Sequence, residues 1–189
     1  MVGNEVEVKV WLSDSQLPDM QEEAAREMAE ILETSGWGED SRLMMSDTYL
    51  SHPCRDFFES DESLRIRTVK DLEDGRVQTY ITYKGPKVSS RSKARYENEI
   101  KLIKGEAMRD ILDRLGFRKF IKIEKERRTF ALGDMEACID LVPDLGCFLE
   151  IEIMEENIQR GESRILKFLE DWELERKERR SYLELICQK

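Results

Sequence analysis

Charged and apolar residues alternate strictly in the segment EVEVKVW, residues 5 to 11. Successive side chains of a β-strand point to opposite faces, so the pattern predicts a strand with Glu5, Glu7 and Lys9 on one face. The valines between them occupy the other face. If the valines pack on a core, the charges form an ordinary wet surface. If the charges face inward instead, they line an enclosed space that must hold something ionic.

The same two-residue alternation returns in six further segments, separated by turn sequences such as DLEDGR, ALGD and PDLG. Their content of β-branched and aromatic residues predicts antiparallel strands. The segments are SLRIRTV, VQTYITYKG, RYENEIKL, IKIEKERRTF, EACIDLV and CFLEIEI.

Other stretches repeat apolar residues at helical spacing instead. They cover residues 17–34, 105–115 and 157–172. Asp14 or Ser15 would cap the first helix, the tail SYLELI predicts a short helix or turn, and the polar stretch 85–94 predicts a loop. The pattern indicates one α+β domain over residues 1–189, dominated by a meandering antiparallel sheet.

Charges recur in register along these strands. They are Arg65, Arg67, Lys84, Arg95, Glu97, Glu99, Lys125, Arg127, Asp140, Glu150 and Glu152. On any single strand, a sheet with one wet face explains them. Across several strands they favour a charge-lined face that a closed barrel would bring together, and enclosed charges need partners. Lysine and arginine suit phosphate oxygens, and clustered carboxylates suit Mg²⁺ or Mn²⁺, so a metal–polyphosphate complex matches both sets.

The composition narrows the class of protein. Charged residues make up 38% and hydrophobic residues 40%, which predicts a folded chain. The net charge of −10 argues against generic binding to nucleic acid or to an anionic membrane. The four cysteines have no CxxC or CxxH spacing, no apolar run approaches the roughly 20 residues of a membrane span, and the beginning lacks a signal-peptide pattern. We therefore expect a cytoplasmic protein with reduced thiols.

With EVEVK, the sequence resembles the CYTH superfamily, the triphosphate tunnel metalloenzymes, whose signature is ExExK. The family includes class IV adenylyl cyclases and thiamine triphosphatases. Further matching stretches follow in the family's order: SDESLRIR, TYKGP, RYENEI, KERRTF, CIDLVPDLGCFLEIEI and SYLEL. The stretches DTYLSHPCRDFFESDESLRIR and TYKGPKVSSRSKARYENEI look most like the CyaB-type, class IV cyclase branch. The resemblance implies an eight-stranded antiparallel barrel, open as a tunnel, with flanking helices and inward-facing charges.

The resemblance also implies roles for individual residues. The residues that would bind the phosphates and take part in catalysis are Lys9, Arg65, Arg67, Lys84, Lys125 and Arg127. Arg95 is a secondary candidate for binding the phosphates. Ligands of Mg²⁺ or Mn²⁺ would be Glu5, Glu7, Asp140 and Glu150, with Glu152 nearby and Glu97 and Glu99 in a second tier.

Three functions remain open at this point. A cyclase would convert ATP into cyclic AMP and pyrophosphate, and a triphosphatase would hydrolyse ATP, thiamine triphosphate or tripolyphosphate. A non-catalytic module would only bind a polyphosphate or nucleotide. The partner is a small-molecule triphosphate in each case, and a homodimer is left open. An adenine pocket at the tunnel mouth would discriminate among them, but the sequence does not locate one. We expect His52, the only histidine, to lie in a surface loop.

Overall fold

The computed structural model describes residues 4–88 and 95–188, with residues 4 and 5 described by their backbone alone. Nine strands of these ranges form one antiparallel sheet: β1 (Asn4–Ser13), β2 (Gly38–Ser51), β3 (Ser63–Asp71), β4 (Val77–Lys87), β5 (Arg95–Leu102), β6 (Arg118–Leu132), β7 (Met135–Val142), β8 (Gly146–Glu155) and β9 (Lys177–Glu178). The helices are α1 (Pro18–Thr34), α2 (Gly105–Arg114), α3 (Ile158–Asp171) and α4 (Tyr182–Cys187). The predicted α+β class is confirmed.

The sheet curls until its two ends meet. Its strand order is β5-β4-β3-β2-β6-β7-β8-β1-β9, and β5 also pairs with β1 through Glu5 and Arg95. The two residues of β9 pair with Lys9 and Val10 further along the same edge of β1. The predicted antiparallel barrel with flanking helices is therefore confirmed, with β9 as a short ninth strand beyond the eight expected.

Both faces of β1 are buried, which answers the question its alternation poses. Val6, Val8 and Val10 are at most 4% exposed and belong to the core under α1 and α3, beside Leu32 and Ile165. On the opposite face, Glu7 and Lys9 are buried inside the barrel. The helices thus supply the apolar cover on the outside, and the charges face inward as predicted.

The helix ends differ in how they are stabilised. The predicted cap of α1 by Asp14 or Ser15 is wrong, because the helix begins at Pro18 with Leu17 before it and no side-chain cap. Proline at the first helical position has its φ angle already fixed and lacks an N–H that would otherwise have no acceptor within the helix. The predicted terminal helix is present, and Ser181 and Glu184 form a capping box at its start. No helix of the described residues is long and apolar enough to cross a membrane.

Apolar side chains fill the end of the barrel interior where the turn between β7 and β8 meets α4. The cluster contains Tyr49, Ile123, Val142, Leu145, Phe148, Tyr182 and Leu185. The Phe148 ring lies 4.2 Å from Trp11 and 5.0 Å from Tyr182, measured between ring centroids. We call this cluster the apolar plug. The charged side chains line the rest of the interior.

Candidate active site in the barrel interior

The barrel encloses a cavity of about 630 Å³ with a predominantly charged lining. Its basic residues are Arg65, Arg67, Lys84, Lys87, Arg95, Lys125, Arg127 and Arg179. Its acidic residues are Glu7, Asp61, Glu62, Glu97, Glu99, Glu150, Glu152 and Glu184. The structure thus brings together most of the residues singled out in the sequence. Lys9 and Asp140 lie just behind this lining, and the Glu5 side chain lies outside the described part of the chain.

Asp47 on β2 holds two arginines of the neighbouring strand. Its carboxylate accepts hydrogen bonds from Arg67 Nε and Nη2 at 2.7 and 2.8 Å, and from Arg65 Nη1 at 3.1 Å. Burial alone would raise the pKa of Asp47, but the charges of Arg65 and Arg67 hold that pKa well below its usual range. The two guanidinium groups are therefore fixed in place before any ligand arrives. We call this group the Asp47 cluster.

Asp140 on β7 makes a second cluster on the other side of β6. Its Oδ2 accepts from Lys125 Nζ at 2.6 Å, Arg127 Nη2 at 2.6 Å and the Tyr182 hydroxyl at 2.8 Å, and its Oδ1 accepts from Arg127 Nε at 2.7 Å. Arg127 also donates to Glu150 at 2.5 Å. We call these five residues the Asp140 cluster. It links the cavity wall to the apolar plug through Tyr182.

Burial and neighbouring charge shift the pKa values in the Asp140 cluster. Burial and the charge of Arg127 lower the pKa of Lys125, although Asp140 opposes them. Burial would raise the pKa of Asp140, but Arg127 and Lys125 hold it below its usual value. Asp140 is therefore an anion in the folded protein whose oxygens already accept four hydrogen bonds from this chain.

Lys9 is fully buried beneath the cavity lining. Its Nζ lies 3.9 Å from the centroid of the Tyr182 ring, 5.3 Å from that of Phe148 and 4.0 Å from Glu150 Oε1. Aromatic faces stabilise a cation that has lost its water. Lys9 thus supplies positive charge at the boundary between the plug and the charged cavity.

Carboxylates gather on the wall that β7, β8 and β1 form. Glu7 and Glu152 are opposite each other in the β1–β8 register, and Glu152 is opposite Glu136 of β7. Ligand atoms of Glu136, Cys138 and Glu152 lie within 4.8 Å of one another. Burial raises the pKa of the Cys138 thiol well above its usual value, so it remains protonated at neutral pH. The donors on this wall are therefore mainly carboxylate oxygens, which suit hard cations such as Mg²⁺ and Mn²⁺.

The remaining wall, from β4 and β5, mixes both signs of charge. Lys84 forms an ion pair with Glu97, and Thr82 donates to Glu99 at 2.6 Å. Within the described part of the chain, the buried Nε atoms of Arg65 and Arg95 have no hydrogen-bond partner. A buried donor left unpaired destabilises the fold by about 1–3 kcal/mol.

Some residues of the site were missed from the sequence. The sequence contains a pattern that could have pointed to Asp47, because this residue lies two positions from both Met45 and Tyr49. The side chains of all three are buried. No such pattern pointed to Lys87. Its Nζ lies 2.7 Å from Asp61 and 3.1 Å from Glu184, so it joins β4 to a loop and to α4, contacts that only the folded chain creates.

The sequence and the fold of this chain are similar to those of known proteins. The CYTH domain family model matches residues 3–183. A Methanocaldococcus jannaschii protein named "Putative adenylate cyclase" is 39% identical over 148 residues, which cover 78% of this chain and 75% of that protein. A solved Pyrococcus horikoshii structure is 33% identical with a TM-score of 0.83, covering 97% of this chain and 98% of that one.

A Hippeastrum protein with a similar name shares the fold at 13% identity and a TM-score of 0.66, over 99% of this chain and 96% of that one. That protein is described as having a dominant triphosphatase activity.

Proposed function

The chain belongs to the CYTH domain family, and we propose that it is a metal-dependent enzyme that binds a triphosphate inside its barrel. We propose further that it acts as a class IV adenylyl cyclase, which converts ATP into cyclic AMP and pyrophosphate. The M. jannaschii relative carries an adenylate cyclase name, and the cavity chemistry supports the same class of substrate.

The observation that carries the proposal is the preorganised set of cations in the cavity wall. Arg65, Arg67, Lys125 and Arg127 all line the cavity, and the two buried aspartates hold them in position. Arginine binds phosphate oxygens through a planar fork of N–H donors. Because the side chains are already ordered, binding a polyanion costs little further conformational entropy.

The acidic wall fits a divalent cation by the chemistry of its donors. We propose that Glu7, Glu150 and Glu152 hold Mg²⁺ or Mn²⁺, with Glu136 beside Glu152 in register. A bound cation would supply charge neutralisation of the phosphates and activation of the attacking oxygen. Glu5, whose side chain is outside the described residues, and Asp140 stay predicted ligands. The four hydrogen bonds to Asp140 support a role in positioning cations instead.

In the cyclase reaction, the ribose 3′-oxygen bonds to the α-phosphorus as the bond to the bridging oxygen of pyrophosphate breaks. As the bond breaks, negative charge develops on the leaving pyrophosphate, which takes up the proton of the 3′-hydroxyl in the overall balance. Fixed cations stabilise charge that develops in the transition state, since they need no reorganisation during the step. Arg65, Arg67, Lys125 and Arg127 would perform this work, and the enclosed cavity would limit competing attack by water.

A triphosphatase is the second candidate, and one observation favours it. The Hippeastrum protein of the same fold is described as having a dominant triphosphatase activity, and the cations of this cavity would bind phosphates in either reaction. Attack by water on the γ-phosphorus would use the same cations and carboxylates.

A non-catalytic module would not require carboxylates such as Glu7 and Glu152 in the cavity. The four cysteines are free thiols, which fits a reducing compartment such as the cytoplasm.

The test is a product assay with a matched pair of variants. The purified protein is incubated with Mg²⁺ or Mn²⁺ and with ATP, thiamine triphosphate or tripolyphosphate, and cyclic AMP, pyrophosphate and phosphate are measured separately. We expect equal amounts of cyclic AMP and pyrophosphate from ATP. We expect Glu7→Gln to abolish turnover, and Glu23→Gln on the exposed face of α1 to retain it.

Phosphate release without cyclic AMP would establish the triphosphatase instead. Binding without turnover of any substrate would leave the non-catalytic module. Near wild-type activity of Glu7→Gln at low Mg²⁺ would remove this residue from the site.

A further inference from the structure

A second cavity, of about 580 Å³, adjoins the charged one at the loop that follows β2. We call it the side pocket, and its lining includes Tyr49, His52, Phe57, Phe58, Phe120 and Leu183. Tyr49, Phe57, Phe58 and Leu183 also line the charged cavity. The two spaces therefore lie side by side, with these four side chains at their boundary.

The side pocket differs from the charged cavity in its chemistry. Three phenylalanines and a histidine supply flat rings, whereas the neighbouring cavity is lined mainly by lysine, arginine and glutamate. Phe58 and Phe120 are 54% and 58% exposed. A lone exposed phenylalanine is ordinary, but two that line one concave pocket are typical of a binding site. Exposed ring faces allow another aromatic ring to stack on them.

His52 gives the side pocket a polar group with a defined orientation. Its Nδ1 accepts a hydrogen bond from the backbone N–H of Cys54 at 3.0 Å. In a neutral imidazole one nitrogen accepts and the other carries the proton, so Nε2 is the donor. The His52 ring lies 5.0 Å from Phe117 and 5.6 Å from Phe57 between centroids, and these contacts fix its plane. A ring nitrogen of a ligand can accept from such a donor.

We propose that the side pocket holds the base of a nucleoside triphosphate whose phosphates lie in the charged cavity. The inference rests on the proposed function and deepens it. A nucleobase is flat and aromatic, carries acceptor nitrogens, and is joined to a polyanion, which matches the two adjoining spaces. Inorganic tripolyphosphate has no group for the side pocket. Phe58 and Phe120 are thereby specificity-determining residues, which select a nucleotide over a bare polyphosphate.

The experiment compares two ligands that differ only in the nucleoside. One is an ATP analogue with methylene bridges at both phosphate–phosphate links, and the other is the same bridged triphosphate without the nucleoside. Affinities are measured by calorimetry with Mg²⁺ for wild type, Phe58→Ala and Phe120→Ala. The matched control is Tyr96→Ala, an aromatic residue of β5 that is 61% exposed and lines neither cavity.

Loss of one stacking partner should weaken binding of the ATP analogue by about tenfold. The base-free triphosphate should bind all four proteins equally, and Tyr96→Ala should match wild type with both ligands. If wild type binds both ligands and the phenylalanine variants leave the ATP analogue unaffected, the side-pocket inference is overturned while the phosphate site stands. An equal loss for both ligands also overturns it, because the variants then act on the charged cavity. Failure of wild type to bind either ligand overturns the proposed function together with the inference.

Discussion

The Asp47 cluster and the Asp140 cluster each use one buried aspartate to hold two cations, but their surroundings differ. The hydrogen bonds that Asp47 accepts within the described residues come from the guanidinium groups of Arg65 and Arg67, and both arginines line the cavity. Asp140 bonds to Lys125, Arg127 and the hydroxyl of Tyr182, which belongs to the apolar plug. The Asp140 cluster therefore includes a residue of the apolar plug, whereas the Asp47 cluster consists of charged residues alone.

The hydrogen-bond partners of a carboxylate in a charged interior indicate whether it binds a metal or positions cations. The residue type alone makes both aspartates candidates for metal binding. The geometry instead gives each a set of donors from this chain, so that each orients cations toward the cavity. The Asp140 cluster also ties α4 to β6 and β7, which gives it a larger part in stability. The Asp47 cluster joins the neighbouring strands β2 and β3, and both of its arginines line the cavity, which favours a part in ligand binding.

The strongest test of this contrast is the stability of two asparagine variants. Removing one partner from a buried ion pair destabilises a protein by about 3–5 kcal/mol, and we expect Asp140→Asn to fall in that range. We expect Asp47→Asn to lose about 2 kcal/mol, because Arg65 and Arg67 border a cavity that water can enter. The free energy of unfolding is measured in urea. Asp134→Asn, which removes an exposed pair with Arg164, should match wild type. Equal losses for Asp47→Asn and Asp140→Asn would erase the contrast.

A second test separates ligand binding from stability. Arg67→Ala should weaken binding of the methylene-bridged triphosphate by about 2 kcal/mol, the scale of a charge-assisted contact in an enclosed site. Arg127→Ala should reduce stability more than Arg67→Ala does, because it leaves Asp140 and Glu150 without a shared partner. Calorimetry measures the affinity and urea unfolding measures the stability.

The control for the binding test is Arg128→Ala. Arg128 is the next residue on β6, and its side chain pairs with Glu39 on the outer face of the barrel. Its affinity for the triphosphate should equal that of wild type. An unchanged affinity of Arg67→Ala would instead leave Arg67 a structural partner of Asp47 with no part in binding the triphosphate.

The smallest expected effect is on the pH dependence of stability. Both aspartates have folded-state pKa values below their usual one, because the effect of nearby cations outweighs that of burial. Their contribution is therefore fully present above the unfolded pKa of about 4 and is lost as pH falls below it. Each such group contributes at most about 1.4 kcal/mol per pH unit to the slope of the unfolding free energy between about pH 4 and pH 2. Urea unfolding across this range should show a shallower slope for Asp140→Asn than for wild type. Parallel slopes would show that Asp140 is not held ionised by its neighbours.

Much of the fold and part of the site could be predicted from local pattern. A period of two fixes which side chains share a face, so Arg65 and Arg67, or Lys125 and Arg127, had to lie together. The pattern could not decide which face of β1 was enclosed, because α1 and α3 cover the valines and the barrel encloses the charges. The segments of β1 and of six other strands were predicted from their alternation.

The rest depended on contacts between distant parts of the chain. β2 was not predicted from its own pattern, since the run of Leu43, Met44 and Met45 interrupts the alternation, and its Asp47 was missed with it. Tyr182 acquires its role only when α4 docks against Phe148 and Asp140. The side pocket likewise combines a loop, β6 and α4. No short stretch of sequence contains such a combination.

The position of β1 in the sheet also constrains the order of events during synthesis. β1 is synthesised before all of its partner strands, since Val6 pairs with Ile153, Glu5 with Arg95 and Lys9 with Glu178. A nascent chain that stops short of β8 carries a strand with a valine face and an unpaired edge, a combination that promotes aggregation. The barrel can close only after nearly the whole chain has emerged, and pairing of such distant segments is slow. The topology therefore leaves β1 exposed to pairing with other chains until β8 has been synthesised.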